Sequence, residues 1–184
     1  MQEQSTATKG TLESRQLSAC EAALALARRN RLEALRVVRG LCRSGTLSVR
    51  KRVAQCLMEM GGDEAIIGLI GLLKDPHHEV RIAAAGALGV LRAQSAKAYL
   101  ERLLESDPHL DVQLAAARTL GRLQDKSGLS LVLTLLNGND ERYRRLAVVA
   151  LRDIIGQRFS PDHEGIESAK RYLQVQGSKF SDGG

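Results

Sequence analysis

Histidine and glutamate stand together in one turn of the chain, where their side chains would suit metal binding or proton transfer. His77, His78 and Glu79 follow the dipeptide DP, and His109 takes the position of His77 in a similar turn further along. If the two turns stack at the usual interhelix distance of about 10 Å, one ion cannot reach both, because metal–nitrogen bonds are about 2 Å long. The sequence therefore favours solvent-exposed turns and predicts no metal and no other cofactor.

Three cysteines are the other candidates for chemistry. Cys20, Cys42 and Cys56 form no C-x-x-C pair, and each lies among apolar residues at helical spacing. This pattern predicts buried, reduced thiols in a cytoplasmic protein rather than nucleophiles or a disulfide framework. The chain also lacks a glycine-rich phosphate loop, a G-x-S-x-G elbow and an H-E-x-x-H helix. We therefore predict no catalytic residues and no enzymatic activity.

The elements that must position any site repeat along the sequence. VRIAAAGALGVL begins at Val80, VQLAAARTLGRL at Val112, VRKRVAQCLMEM at Val49 and YRRLAVVALRDI at Tyr143, at intervals of 31 or 32 residues, and a weaker copy begins at Ser18. The segments between them carry Leu, Ile or Val at every third position, as one face of a helix does. Each repeat is thus predicted to contain two helices, A and then B, joined by short polar turns.

The composition and the turn residues support this interpretation. With 43% hydrophobic and only 3% aromatic residues, the core must be built from Leu, Ala, Val and Ile, which suits closely packed helices. Pro and Gly are predicted to end helix A, and Asp, Ser or Asn to cap helix B. Arg81 and Arg144 follow acidic turns and are predicted to tie adjacent repeats together. Small residues are predicted where helices cross, at Ala84, Ala87, Ala116 and Ala147.

Residues 75–91, DPHHEVRIAAAGALGVL, carry a family resemblance. They resemble the HEAT-like repeat of bacterial proteins named for phycobilisome lyases, whose pattern is DP-x-x-x-VR-x-A-A-x-x-AL-G-x-L. Residues 107–123 fit the same pattern with Gln113 in place of the arginine, and the similarity extends over about residues 18–156. The resemblance implies an all-α, right-handed α-solenoid of four to five helix pairs, similar to armadillo arrays.

The chain is predicted to divide into four parts. Residues 1–10 form a disordered polar tail, 11–156 the repeat array, 157–176 a C-terminal capping helix and 177–184 a flexible tail. Ser160 and Pro161 start the capping helix, and Ile166, Ala169 and Leu173 give it one apolar face. The first residues lack an apolar signal segment, and no apolar run is long enough to cross a membrane, so we predict a cytoplasmic protein.

Two enzymes bear on this resemblance. Deoxyhypusine hydroxylase has similar repeats and binds two irons through His-Glu pairs on its B helices, but no ligand stands at those positions here. Phycobilin lyases attach a bilin to a cysteine of an antenna protein and often work as paired subunits. An accessory subunit of such a tetrapyrrole lyase is therefore an alternative function. The iron-ligand positions read Ile82-Ala83, Leu114-Ala115, Lys51-Arg52 and Arg145-Leu146.

The resemblance also implies that the B helices line a concave face. The exposed positions on that face are predicted to combine an apolar centre with a basic rim, a pattern typical of protein-binding sites. We predict a scaffold or adaptor that binds a protein partner there, with an acidic partner favoured by the rim. The opposing interpretation is that neighbouring helices cover these side chains. The predicted contact residues are Lys51, Ile82, Val90, Leu114, Arg118, Arg122 and Arg145.

The net charge of +6 resides in the first third of the chain. Residues 1–60 hold 11 Lys and Arg against 5 Asp and Glu, whereas the remainder holds 16 of each. Such a surface suits phosphate binding, which makes nucleic acid a third candidate partner. The absence of Trp and the scarcity of other aromatics argue against base stacking. The residues of this candidate anionic-partner patch are Arg28, Arg29, Arg31, Arg36, Arg39 and Arg43.

Overall fold

The computed structural model describes the backbone of residues 2–181 and the side chains of residues 12–43 and 45–175. Over that range the chain is helical and contains no strand, which confirms the all-α prediction. A short 3₁₀ turn occupies Gln94–Ala96. The ten helices are α1 Gln2–Ala27, α2 Arg31–Ser44, α3 Leu47–Met60, α4 Gly62–Leu72, α5 His78–Val90, α6 Lys97–Ser106, α7 Leu110–Arg122, α8 Leu129–Asn137, α9 Glu141–Ile155 and α10 His163–Ser181.

The helices group into two compact units, residues 1–99 and residues 100–184. In the first unit α1 packs against α2 and α3, and α5 packs against α3 and α4. In the second unit α9 packs against α7, α8 and α10. Each segment predicted as a B helix from Val49, Val80, Val112 or Tyr143 is a helix, namely α3, α5, α7 and α9.

Helix starts follow the turn chemistry in part. Thr46 caps α3 by accepting a hydrogen bond from the Val49 amide, and Asp140 caps α9 by accepting from two amides. α5 and α7 differ, because His77 and His109 occupy the cap positions without a side-chain cap bond. The aspartate two residues earlier accepts the amide of that histidine instead, at 2.9 Å in the first turn and 3.0 Å in the second.

The arginine position of the repeat anchors the turn that precedes its own helix. Arg81 Nη1 donates to the carbonyl oxygens of Asp75 and Pro76, at 2.8 and 3.2 Å. Gln113, which replaces the arginine in the next copy, donates to the Asp107 carbonyl at 2.8 Å. A long side chain with N–H donors therefore suffices at this position. Arg50, at the same position of the preceding repeat, also reaches the carboxylate of Asp75 and so ties its helix to the next turn.

The core lies where small residues allow helices to cross closely. All four predicted crossing alanines are buried, and leucines next to them fill the space between helices. At Gly68 a Cβ atom would lie 3.0 Å from Leu57, and at Gly121 it would lie 2.5 Å from the carbonyl oxygen of Asp153. α7 therefore approaches α9 more closely than alanine would permit, whereas alanine at Gly68 would require only a small shift of the Leu57 side chain. This closeness brings the side chains of α7 within reach of α9.

The ends of the array differ from the predicted boundaries. α1 begins at Gln2, so helical backbone extends through the segment predicted as a disordered tail. The last helix begins at His163 and continues to Ser181, into the predicted flexible tail; residues 182–184 lie outside the described residues. Ile166 and Ala169 are buried in the core of the second unit and Leu173 packs against it, as the predicted apolar face requires. In the described part of the chain, no helix has the length and hydropathy that a membrane span needs.

Candidate partner-binding surface

α5 presents an apolar strip on the outer side of the first unit. Ile82, Gly86 and Val90 recur at every fourth position and therefore share one helix face. Val90 is 60% exposed, and Ile82 and Gly86 are half-buried. A Cβ atom on Gly86 would meet no atom within 4 Å, so the middle of the strip is open. Ile82 and Val90 are thus accessible, and their place on a concave binding face stays a prediction.

A shallow groove of about 410 Å³ runs between α3 and α5 beside this strip. Its apolar surface comes from Met58, Ala83 and Ala87, and its polar surface includes Lys51 and Gln55, both exposed. The volume is near the lower end of the range of ligand-binding clefts, roughly 300–1,000 Å³. Small residues at its base leave room for side chains of a bound segment. Of these residues, only Lys51 was among the predicted contacts.

Charges around the groove are largely balanced. Arg52 Nη2 lies 2.5 Å from Glu21 Oε1 on α1, and Arg52 Nη1 lies 3.5 Å from Glu59 Oε1 on its own helix. The pKa of the Glu79 carboxyl is lowered chiefly by its own backbone amide, and also by nearby positive charge, including that of Lys51. Acidic residues of α1, α3 and α5 therefore accompany the cations of this unit, and the basic rim expected from the sequence stays a prediction.

In the second unit, Leu114 does not lie on an accessible face. It is only 4% exposed and belongs to the core cluster with Val148 and Leu151. Helical periodicity assigned Leu114 to the same face as Ile82, but the neighbouring helices cover it. Leu114 is therefore a core residue, and we remove it from the candidate contact surface.

Arg118 and Arg122 converge on one carboxylate that sequence reasoning did not single out. Arg118 Nε lies 2.8 Å from Asp153 Oδ2, and Arg122 Nε lies 3.3 Å from Asp153 Oδ1. Burial alone would raise the pKa of the Asp153 carboxyl, but hydrogen bonds and charge from the two arginines hold it below its usual range. Arg152 Nη2 lies 3.7 Å from the same carboxylate. One feature of the sequence could have indicated this contact: Asp153 is an acid at the B-helix position where α7 carries arginine.

Two other arginines of the second unit, Arg142 and Arg145, each pair with one carboxylate. Arg145, a predicted contact residue, is exposed and forms an ion pair with Glu141 one turn earlier. Arg142 Nη2 lies 2.9 Å from Asp111 Oδ1, which links α9 to the start of α7. These pairs are charge-neutral, unlike the group around Asp153.

The six arginines of the basic first third separate into two groups. Arg31 Nη1 donates to the Met60 carbonyl at 2.9 Å and Nη2 donates to that of Gly61, while Arg36 Nη1 lies 3.2 Å from Glu33 Oε2. The other four are exposed, and among the described side chains they form no hydrogen bond or ion pair. They are Arg28, Arg29, Arg39 and Arg43.

The histidine turn is engaged in structural contacts. Arg50 Nη2 lies 2.9 Å from His77 Nδ1, and because arginine has no acceptor, the ring nitrogen must accept. A guanidinium at that distance opposes a metal cation at the same nitrogen. His78 Nδ1 lies 3.3 Å from Glu79 Oε2, an ordinary neighbour contact. Across residues whose side chains are described, no three or more His, Cys, Asp or Glu side chains come together as a metal site would require.

The thiols are protonated at neutral pH. Cys20 and Cys56 are fully buried, and Cys56 Sγ lies 3.8 Å from the Cys20 carbonyl oxygen. Burial raises the pKa of Cys42 to about 11 and that of Cys56 to about 12, and it also raises that of Cys20. A thiol with such a pKa supplies almost no thiolate for nucleophilic attack.

The comparison with protein families agrees with the helix-pair architecture. A family model described as HEAT repeats matches residues 13–89 and 68–152. No curated protein gives a significant match. The more specific resemblance to the phycobilisome-lyase type stays a prediction.

Proposed function

Because the chain belongs to the HEAT-repeat family, we propose that it is a non-enzymatic scaffold that binds a segment of a partner protein on the first unit. HEAT repeats are commonly protein-interaction scaffolds, which supports the class of function. The contact surface, called here the α3–α5 face, consists of Lys51, Gln55, Met58, Ile82, Ala83, Gly86, Ala87 and Val90. Its charge balance favours a segment that binds mainly through apolar side chains.

The observation that carries this proposal is the open position at Gly86 between the apolar side chains of Ile82 and Val90, on the helix that also lines the groove. A glycine inside a helix lowers the stability of the helix by about 1 kcal/mol relative to alanine. At Gly86 no neighbouring atom lies close enough to exclude a Cβ atom, so packing does not require glycine there. The chain therefore accepts a less stable helix without a packing reason within the first unit. Close approach of a bound segment between Ile82 and Val90 supplies a reason, because it needs the space that a methyl group would occupy.

The test compares two aspartate substitutions at equally exposed apolar residues. Val90 on the α3–α5 face is 60% exposed and Ile67 on α4 is 61% exposed. Tagged wild-type, V90D and I67D proteins are used to purify partners from the native cell, with quantitative mass spectrometry. We expect a partner that wild type and I67D recover equally and that V90D loses.

The recovered partner is then purified, and its dissociation constant is measured against all three proteins. We expect V90D to weaken binding by at least tenfold, since it places an uncompensated charge in an apolar contact. Equal binding by V90D and wild type would contradict the proposed face. Equal weakening by V90D and I67D would show that the contact is not specific to α5.

A second candidate function is supported by four arginines that form no ion pair with any side chain the structure describes. Arg28, Arg29, Arg39 and Arg43 are exposed on the first unit and suit a polyanion such as nucleic acid. A salt titration of binding to labelled duplex and single-stranded DNA tests this function, because phosphate neutralisation gives a linear decrease of log K with log salt. A slope near zero would argue against it.

The tetrapyrrole-lyase alternative rests on the family resemblance alone. Its test is the absorbance of a bilin mixed with this protein and an antenna protein that carries the acceptor cysteine. A spectrum identical to that of the bilin with the antenna protein alone would count against an accessory role.

A further inference from the structure

Three guanidinium groups share one carboxylate on the B helices of the second unit. Arg118 and Arg122 of α7 and Arg152 of α9 all have a nitrogen within 3.7 Å of Asp153. The group therefore carries three formal positive charges against one negative charge. We call these three arginines the arginine cluster.

We propose that the arginine cluster binds two neighbouring carboxylates of an acidic segment in a partner protein. The local excess of two positive charges matches two carboxylates, and guanidinium groups bind carboxylates through paired N–H donors. The inference rests on the proposed scaffold function but concerns a different unit. Loss of binding through the α3–α5 face would leave it standing.

The number of donors supports a further ligand. Each guanidinium has five N–H donors, whereas a carboxylate offers about four acceptor positions. Asp153 therefore cannot satisfy the cluster. The three arginine side chains are between 31% and 46% exposed, so their remaining donors face solvent.

Elsewhere in the described chain, two aspartates in contacts between elements each form an ion pair with a single arginine. Asp75 is met by the single guanidinium of Arg50, and Asp111 by that of Arg142. One arginine, together with the His77 amide, thus satisfies an aspartate whose side chain is only 5% exposed. Three arginines around Asp153 exceed what neutralising that residue requires.

The cluster is also held in place before any ligand arrives. The missing Cβ of Gly121 lets α7 approach the Asp153 backbone, and the Asp153 side chain is only 8% exposed. A buried, ionised carboxylate fixes the positions of two guanidinium groups, which lowers the entropy lost when they bind an anion. The convergence on one point fits a pair of carboxylates better than a phosphate chain, whose charges continue beyond it.

The test uses side-chain NMR of the full-length protein. The arginine Nε–Hε signals are followed while N-acetyl-Glu-Glu-amide is added, with N-acetyl-Gln-Gln-amide as the neutral probe. We expect saturable shifts of Arg118, Arg122 and Arg152 with the glutamate probe and none with the glutamine probe. Absence of saturation, or equal shifts at Arg142 and Arg145, would overturn the proposal.

Variants separate binding from folding. R152Q leaves Asp153 with two arginines, so we expect the fold to persist and the dissociation constant to rise about fivefold, as for loss of one charge contact. The matched control is R142Q, which removes the same charge from a neutral pair on the same helix and should leave binding unchanged. Equal effects of R152Q and R142Q would show general attraction by net charge and would contradict the site.

A further measurement bears on the ligand. Titration with phosphoserine tests whether the arginine cluster binds a phosphate more tightly than a pair of carboxylates. Binding of phosphoserine more tightly than the glutamate pair would assign the cluster to phosphorylated segments and overturn the carboxylate assignment.

Discussion

Arg50 on α3 forms a two-pronged ion pair with Asp75, which lies in the turn before α5. Nε lies 2.6 Å from Oδ2 and Nη2 lies 3.1 Å from Oδ1. Arg50 Nη1 also donates to the Gly45 carbonyl at 2.6 Å, in the turn before its own helix. One side chain thus joins two successive turns of the array. This contact fixes the spacing of α3 and α5, and hence the groove between them.

Removal of Arg50 should destabilise the protein strongly. Arg50→Ala leaves the buried Asp75 carboxylate without its charged partner, for which we expect a loss of about 3 kcal/mol in the free energy of unfolding. Arg39→Ala removes an exposed arginine without an ion pair among the described residues and should change stability by less than about 0.5 kcal/mol. Urea titration monitored by circular dichroism measures both. Similar losses in the two variants would refute the structural role of Arg50.

The same pair should make stability depend on acidic pH. Burial alone would raise the pKa of the Asp75 carboxyl, but hydrogen bonds from Arg50 and the His77 amide, with the Arg50 charge, lower it. A carboxyl whose folded pKa is below its unfolded value of about 3.9 stabilises the fold above that pH. This contribution is lost as the pH decreases through the folded pKa.

Asp75→Asn is the variant that checks this pH dependence. The substitution should reduce stability at neutral pH and make the remaining stability less sensitive to pH below about 4. The measurement is the urea midpoint at a series of acidic pH values. A pH dependence unchanged from wild type would show that Asp75 does not contribute.

Two glycines should respond to alanine in opposite directions. Gly86→Ala places its methyl group in open space and should stabilise the fold by up to about 1 kcal/mol. Gly121→Ala forces a methyl group against the Asp153 carbonyl and should cost roughly 2 kcal/mol. Thermal unfolding measures both changes, and a stabilising Gly121→Ala would contradict the close crossing of α7 and α9.

Gly86→Ala also tests the proposed contact surface. We expect it to weaken partner binding while it stabilises the protein, because the added methyl group occupies space used by the bound segment. Gly40 on α2 is the control, since its Cβ would likewise meet no atom within 4 Å. Gly40→Ala should therefore stabilise the fold to a similar degree and leave the dissociation constant unchanged. Tighter or unchanged binding by Gly86→Ala would remove the support that this glycine gives to the proposal.

Truncation to alanine should lower the free energy of unfolding far more at Leu114 in the second unit than at Val90 in the first. Leu114→Ala removes a core side chain and should destabilise the protein by about 3 kcal/mol. Val90→Ala removes an exposed side chain and should change stability by less than about 0.5 kcal/mol. Chemical denaturation distinguishes the two. Comparable small effects would mean that Leu114 is accessible after all.

The thiols should be almost unreactive in the folded protein. With the pKa of Cys42 near 11, the thiolate fraction at pH 8 is roughly a hundredfold lower than in an unfolded chain. Labelling with Ellman's reagent should therefore be slow in buffer, fast in urea, and faster for Cys42 as the pH increases. Rapid labelling of folded protein at neutral pH would contradict this burial.

The repeat and its helices follow from the amino-acid sequence alone. The interval of 31 or 32 residues and the alternation of apolar faces require paired helices, because only that spacing returns Val49, Val80 and Val112 to equivalent positions. Periodicity also placed Ile82 and Val90 on an outward face of α5. These are properties of a single helix, which the local sequence specifies.

Which of those positions a partner can reach depends on the packing of the helices. Ile82 and Leu114 are equivalent in the repeat, yet one is half-buried and the other lies in a core, because exposure depends on how neighbouring helices cover a face. The gathering of Arg118, Arg122 and Arg152 around Asp153 depends likewise on the close crossing at Gly121. The pattern of residues along one helix does not specify the distances between helices. The charge balance of each surface therefore follows only from the packed structure.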